Sequence, residues 1–302
     1  MTRIPLFATL LTLVAVLLTG CDGGARSGVV VTTNILGDVT RQIVGAEATV
    51  SVLMRPDADP HSFGVSARQA ARIERAALLV YNGLGLEEGV LRHVQAAREA
   101  GVPSLAVGER VDPLRYRADG QSGQLDPHFW TDPRRMARAV DLIAERVIAE
   151  VEGVDASAVR ANAAAYRRQL EELDAWMAAR FAAIPPERRK LVTNHHVFGY
   201  FAERYGFTVV GAVIPSGTTL ASPSASDLKS LSDAVRAAGV PAVFADSSQP
   251  DRLARVMAEQ AGLRVRIVEL VSESLTDAQG GAPTYTQMMR ANATAIADAL
   301  TH

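Results

Sequence analysis

Cysteine is nearly absent from this chain. The 302 residues include one, Cys21, so an internal disulfide and a multi-cysteine metal site are both excluded. Charge of either sign is not in excess: 31 Lys and Arg stand against 33 Asp and Glu, a formal net charge of −2. That balance excludes the basic stripe a nucleic-acid-binding surface requires. Aromatic residues make up 5% of the chain. No His-Glu-x-x-His motif occurs and no activated Ser or Cys nucleophile motif is visible, which argues against a hydrolase. Beyond residue 20 no stretch is long and apolar enough to cross a bilayer. What remains is an ordinary globular composition, 48% hydrophobic and 21% charged, with length for about two domains.

The first twenty residues read as a signal peptide. Arg3 gives a positive start, and Leu6–Leu18 is an apolar run too short for a comfortable membrane span. The run ends in Leu18-Thr19-Gly20-Cys21, which resembles a bacterial lipobox and marks Cys21 for lipidation. Residues 22–28, small and polar, read as a flexible tether.

After the tether, short apolar runs alternate with amphipathic segments. Strands are expected at Val29–Thr33, Val50–Met54, Leu78–Asn82 and Ser104–Val107, and again at Lys190–Thr193, Thr208–Val213, Ala242–Ala245 and Arg264–Val268. Helices are expected at Gly37–Val44, Ala67–Ala76, Glu87–Ala100, Val197–Tyr205, Ser226–Ala238 and Pro250–Ala261. Such alternation predicts βαβ units around parallel sheets. Between the two sets, Asp155 to about Ala183 carries no Gly or Pro and reads as one long helix, stopped by Pro185-Pro186. The expected fold is therefore α/β: two Rossmann-like lobes, each with a mainly parallel sheet, joined by one long rigid interlobe helix. The expected division is a signal peptide at 1–20, lipidated Cys and tether at 21–28, an N-terminal lobe at 29–153, the linking helix at 154–184 and a C-terminal lobe at 185–302.

Six histidines occur, and their placement is uneven. Asp59-Pro60-His61 and Asp126-Pro127-His128 repeat one local setting, with proline restraining the backbone just before the ring. Asn194-His195-His196 follows an expected strand, where ligands bind in open α/β sheets. A lone loop histidine is more often solvated than ligating. Three in corresponding loops shift the balance toward a metal site, because imidazole is the commonest protein ligand for borderline metals. His93, inside a helical pattern, and the terminal His302 read as structural or solvated.

Several motifs then resemble one family along the whole mature chain. They are Thr32-Thr33-Asn34-Ile35-Leu36-Gly37-Asp38, Asp57-Ala58-Asp59-Pro60-His61, Val80-Tyr81-Asn82-Gly83-Leu84-Gly85-Leu86-Glu87, Asp126 through Pro133, and His195 through Phe201, with Tyr285, Met288, Met289 and Asn292 near the end. In this order they resemble the solute-binding proteins of zinc and manganese ABC importers. Val192 through Tyr200 is most similar to the AztC-type zinc-binding subgroup.

The resemblance implies an extracytoplasmic solute-binding lipoprotein, not an enzyme, anchored to the cell membrane through Cys21 or held in the periplasm. It would be a monomer that delivers metal to an ABC importer permease with its cytoplasmic ATPase, with a periplasmic zinc metallochaperone as a further partner. Metal ligands would be His61, His128, His195 and Glu273, with His196 and Asp277 as the alternatives for the last two. Asp59 and Asp126 would hold the histidines by accepting their distal ring protons, and Asp246 would support the site from a strand end. The implied ion is Zn2+, because three imidazoles and one carboxylate suit tetrahedral zinc, with Mn2+ as the alternative. One family feature is missing: Arg117–Gln124, where many zinc-specific relatives carry a long His- and acid-rich loop, is short and has no histidine. A metal-stabilised surface adhesin and a zinc hydrolase are the rival classes.

Overall fold

The computed structural model describes Arg26 and residues 28–116, 123–260, 262 and 264–301. The signal peptide, Cys21, most of the tether, residues 117–122 and His302 lie outside the described residues.

Among the described residues eight short strands form two four-stranded sheets: β1 (Val29–Val31), β2 (Val50–Val52), β3 (Leu78–Tyr81) and β4 (Ser104–Ala106) in one, and β5 (Lys190–Thr193), β6 (Thr208–Ala212), β7 (Ala242–Asp246) and β8 (Arg266–Leu270) in the other. Their orders are β2-β1-β3-β4 and β6-β5-β7-β8, with every pairing parallel. The two lobes thus share one topology. β1 and β3 are wholly buried apolar runs, Val-Val-Val and Leu-Leu-Val-Tyr, as strands covered by helices on both faces must be. β8 starts two residues later than the sequence pattern suggests.

Nine α-helices occur among the described residues. α1 (Asn34–Val44) is capped by the Thr33 hydroxyl, which accepts from Leu36 N. α3 (Leu91–Glu99) starts later than expected because residues 82–90 are spent on a tight loop, with Gly83, Leu84 and Gly85 all at positive φ. α4 (Pro133–Glu150) has no counterpart in the sequence reading. It is started by the Asp132 carboxylate on Arg134 N and by Pro133 in the first turn.

α5 (Ala156–Ala182) is 27 residues long, roughly 40 Å at the standard rise. Val159, Ala163, Tyr166, Leu170, Leu173, Met177 and Phe181 recur at three- and four-residue spacing and are all buried, the stripe of a core-facing helix. This helix packs on α1 and α4 and on the C-terminal helix α9 (Tyr285–Thr301). Its apolar stripe belongs to one continuous core that runs from Val31 and Ile35 to Tyr200, Phe201 and Tyr285. Buried Asp174 on α5 accepts from Arg204 (2.9 and 2.5 Å), Tyr205 (3.0 Å) and Arg134 (3.1 Å). A shared core and a satisfied buried carboxylate make the connection between the lobes a strut. None of the helices among the described residues is long and apolar enough to cross a membrane.

Candidate metal centre

The two Asp-Pro-His triplets fold into the same turn. Asp59 Oδ1 accepts the backbone N–H of His61, and Asp126 Oδ1 that of His128, each at 2.9 Å. Proline between them has no N–H to compete, so each aspartate closes an Asx turn that aims the following histidine. His61 lies in the loop after β2 (Val50–Val52), and His128 lies beyond β4. His195 comes two residues after β5, its carbonyl held by the Thr193 hydroxyl at 2.6 Å. Glu273 comes three residues after β8. All four positions follow the carboxyl ends of strands, where open α/β sheets bind ligands.

These four side chains meet. Candidate ligand atoms of His61, His128, His195 and Glu273 all lie within 4.8 Å of one another, and all four residues are buried. The three imidazoles form a nearly equilateral triangle, with ring centroids 5.5, 5.5 and 5.3 Å apart. His61 Nε2 faces His128 Nε2 at 3.4 Å, and Glu273 Oε1 is 3.4 Å from His195 Nε2 and 3.8 Å from His128 Nε2. Glu273 Oε2 is 3.7 Å from His61 Nε2. Both Glu273 oxygens and His195 Nε2 make no hydrogen bond among the described residues. Buried polar atoms are rarely left this way unless something else satisfies them. Four donors around a tetrahedral zinc at about 2.0–2.1 Å would stand roughly 3.3–3.4 Å apart, close to the shorter separations here.

Burial dominates the electrostatics. It pulls His61 down to about 4 and His128 to about 3, against the opposing pull of Glu273, and it lowers His195 as well. All three imidazoles are neutral at pH 7, the form that coordinates metal. Burial pushes Glu273 up to about 7 despite the neighbouring histidines. Acid sensitivity of the site therefore lies with the carboxylate rather than with the imidazoles.

The three flanking aspartates act differently from one another. Asp126 Oδ1 lies 2.7 Å from His128 Nδ1. Asp59, expected to do the same for His61, does not: its Oδ2 is occupied by Ser62 (2.9 Å), Thr219 (2.6 Å) and Gln249 (2.9 Å), and His61 Nδ1 has no partner among the described residues. Asp59 instead ties the His61 turn to the opposite lobe. Among the described residues Asp246 makes no hydrogen bond to a ring nitrogen. Its Oδ2 accepts Ser272 N (2.9 Å), Ser272 Oγ (2.6 Å) and Glu273 N (3.0 Å), fixing the backbone beneath Glu273.

The alternatives fall outside the group. His196 is half-buried, with its backbone N–H on Ser216 O at 2.9 Å. Asp277 is exposed, accepting from Gln279 N at 2.9 Å, and His93 is half-buried on α3.

Several contributors carry no signal of their own in the sequence. Trp130 stacks edge-on against His128, with centroids 5.2 Å apart, and its Nε1 donates to Ser272 O at 2.8 Å. Tyr116 brings its hydroxyl to 3.3 Å from His128 Nδ1. Buried Glu87 accepts from Thr32 Oγ1 (2.7 Å), Asn82 N (2.6 Å) and Gly83 N (3.1 Å), and Asn82 Nδ2 donates to Pro127 O beside His128 at 3.0 Å. Only their membership in the quoted motifs could have drawn attention to Thr32, Asn82, Glu87 and Trp130.

Residues 29–299 match the family described as zinc-uptake complex component A, periplasmic. This chain belongs to that family. It is 30% identical over 276 residues to the zinc-binding protein TroA of Treponema pallidum, covering 90% of this chain and 88% of the relative. It is 31% identical over 297 residues to the manganese-binding lipoprotein MntA of Bacillus subtilis, covering 94% and 95%. The iron-binding protein YfeA of Yersinia pestis is 28% identical, covering 91% and 87%. The solved structure of the Treponema pallidum zinc-binding protein superposes with a TM-score of 0.83 at 29% identity, covering 91% of this chain and 99% of that one. As a member of this family, the chain is a metal-binding solute-binding component of an ABC importer and works with a permease and an ATPase. It is not an enzyme.

Proposed function

We propose that this protein captures zinc between its two lobes, on His61, His128, His195 and Glu273, and delivers it to its importer. The observation that carries this reading is the convergence of three neutral imidazoles and one unpaired carboxylate in a buried pocket. A set of three nitrogens and one oxygen at near-tetrahedral spacing favours zinc over manganese in binding strength and geometry. Four protein donors leave no position for an activated water, which suits capture rather than hydrolysis. The AztC-type motif around His195 supports the same ion and, with it, loading by a periplasmic zinc metallochaperone.

Manganese is the second reading. Both Glu273 oxygens are free of hydrogen bonds among the described residues, so bidentate binding would give five donors, two of them oxygen, and manganese prefers more oxygen. The manganese-binding relative supports it as well.

The ligands divide between units at 29–153 and 185–302, with 154–184 as the strut, so metal bridges the cleft. Cys21, at the end of a lipobox, anchors the mature monomer by lipid outside the membrane; the lipoprotein relative supports this placement.

Competitive chelator titration with zinc and then manganese tests the proposal. One tightly held zinc per chain, lost in His61→Ala, His128→Ala or His195→Ala and kept in His196→Ala, is the expected result. Retention of manganese against zinc would replace the ion and keep the site. Stoichiometric binding that survives His195→Ala would sink the ligand set.

A further inference from the structure

The segment that carries Glu273 is held from two lobes at once. On its own side, Asp246 accepts the Ser272 and Glu273 N–H groups. From the opposite lobe, Asn34 grips Leu275 by both its polar backbone groups: Leu275 N donates to Asn34 Oδ1 at 2.9 Å, and Asn34 Nδ2 donates to Leu275 O at 3.3 Å. The same Nδ2 reaches Ser274 Oγ at 2.8 Å and Arg55 O at 3.1 Å. A primary amide paired with one residue's N–H and C=O imitates a strand neighbour, and only Asn or Gln offers both a donor and an acceptor in that form. Asp57 N adds a further bond across the lobes, to Leu275 O at 3.0 Å.

Asn34 is 7% exposed and is the first residue of α1, whose cap is the hydroxyl of Thr33. Its side chain is therefore not required to start the helix. The Glu273 carboxylate makes no hydrogen bond of its own among the described residues, so its place is set by the backbone of residues 272–275. For Glu273 to withdraw, that backbone must leave the opposite lobe, and the bonds of Asn34 are among those that must break.

We propose that Asn34 is a positioning residue that latches the Glu273 segment across the cleft and so sets how long the metal stays bound. This rests on the reading of Glu273 as a ligand. Trp130 also holds the segment, but it packs on the His128 ring, so its replacement would disturb a second ligand. The Asn34 amide instead bonds to Arg55, Ser274 and Leu275, and to none of the three histidines among the described residues. A contact that must break for release is expressed mainly in the dissociation rate.

The test is a double-mutant cycle on the purified protein, with Asn34→Ala, Asn34→Asp, Glu273→Ala and the Asn34→Ala/Glu273→Ala pair. Zinc release into excess chelator is followed by stopped flow, and cobalt(II) absorption reports the coordination sphere. Asn34→Ala is expected to speed release roughly tenfold to a hundredfold, as two or three lost hydrogen bonds imply. Its cobalt spectrum should move toward that of Glu273→Ala, and it should add no acceleration in the Glu273→Ala background. Asn34→Asp, which keeps the acceptor for Leu275 N–H and loses the donors, should lie between. An equal acceleration in both backgrounds would overturn the latch, because Asn34 would then be acting on the site as a whole. Unchanged release in Asn34→Ala would also overturn it. Wild-type zinc release and cobalt spectrum in Glu273→Ala would instead strike the ligand reading, and the latch with it, whatever Asn34 does.

Discussion

Asp126 Oδ1 serves His128 twice, accepting its backbone N–H at 2.9 Å and standing 2.7 Å from its ring Nδ1. One oxygen thereby fixes both the turn and the tautomer: a proton held on Nδ1 leaves the Nε2 lone pair facing the other candidate ligands. A carboxylate behind a ligating histidine also makes it a better donor. His61 has no such partner on its ring among the described residues, so the two triplets, alike in sequence, are unequal in chemistry.

Asp126→Asn should therefore weaken zinc binding by about 10- to 100-fold while the protein still folds, since the amide oxygen can keep the backbone N–H bond. Chelator competition measures the first part and circular dichroism the second. An unchanged affinity would mean that the Asp126–His128 contact is only a turn device.

Proton release should distinguish the carboxylates from the imidazoles. Metal takes the deprotonated form of each ligand. Glu273, raised to about 7, is the group whose proton must leave. Affinity is then full above pH 7 and falls as pH drops through it. His61 and His128, already lowered to about 4 and 3, add nothing until far more acid conditions. Asp126, also raised to about 7 by burial, contributes a second proton over the same range. Calorimetry in buffers of different ionisation heat at pH 6 should find between about one and two protons released per zinc. Three or more would show the histidines charged in the free protein.

Glu273→Gln should stabilise the metal-free chain while weakening metal capture. The buried carboxylate has a raised folded pKa, so its ionised form opposes folding at pH values above about 7, and protonation relieves this as pH falls. The gain should be about 1–3 kcal/mol at pH 8 and smaller at pH 6.5. Denaturant melts at the two pH values check it. A loss of stability at pH 8 would contradict the assignment of Glu273 as a group held in place for the metal.

Leu170→Ala, in the middle of the α5 stripe and fully buried, should cost about 2–5 kcal/mol in a denaturant melt. Because that stripe belongs to the core shared by both sheets, the loss should appear as one transition at lower denaturant. Two separated transitions would mean that the lobes unfold independently and that α5 is not a strut.

The sequence by itself determined the α/β character. Short apolar runs such as Val29–Val31 and Leu78–Tyr81, alternating with amphipathic helical segments, are the pattern of inner parallel strands. It also determined α5, because a long Gly- and Pro-free stretch with a three-four apolar stripe folds as one helix. α4 went unread although Asp132-Pro133 is a helix-start signal. The Asp-Pro-His turns were legible because an Asx turn is a local event spanning three residues. Glu273 was reached only through family resemblance, since nothing local separates it from the exposed Asp277.

Tertiary structure alone decided the rest. Thr219 and Gln249 occupy the Asp59 carboxylate from 160 and 190 residues away, and Asn34 meets Leu275 across 241. Contacts of such separation leave no periodicity or spacing to read. The same holds for protonation. Burial decides which groups at this site are neutral at pH 7, and burial is a property of the closed fold rather than of any residue's neighbours in sequence.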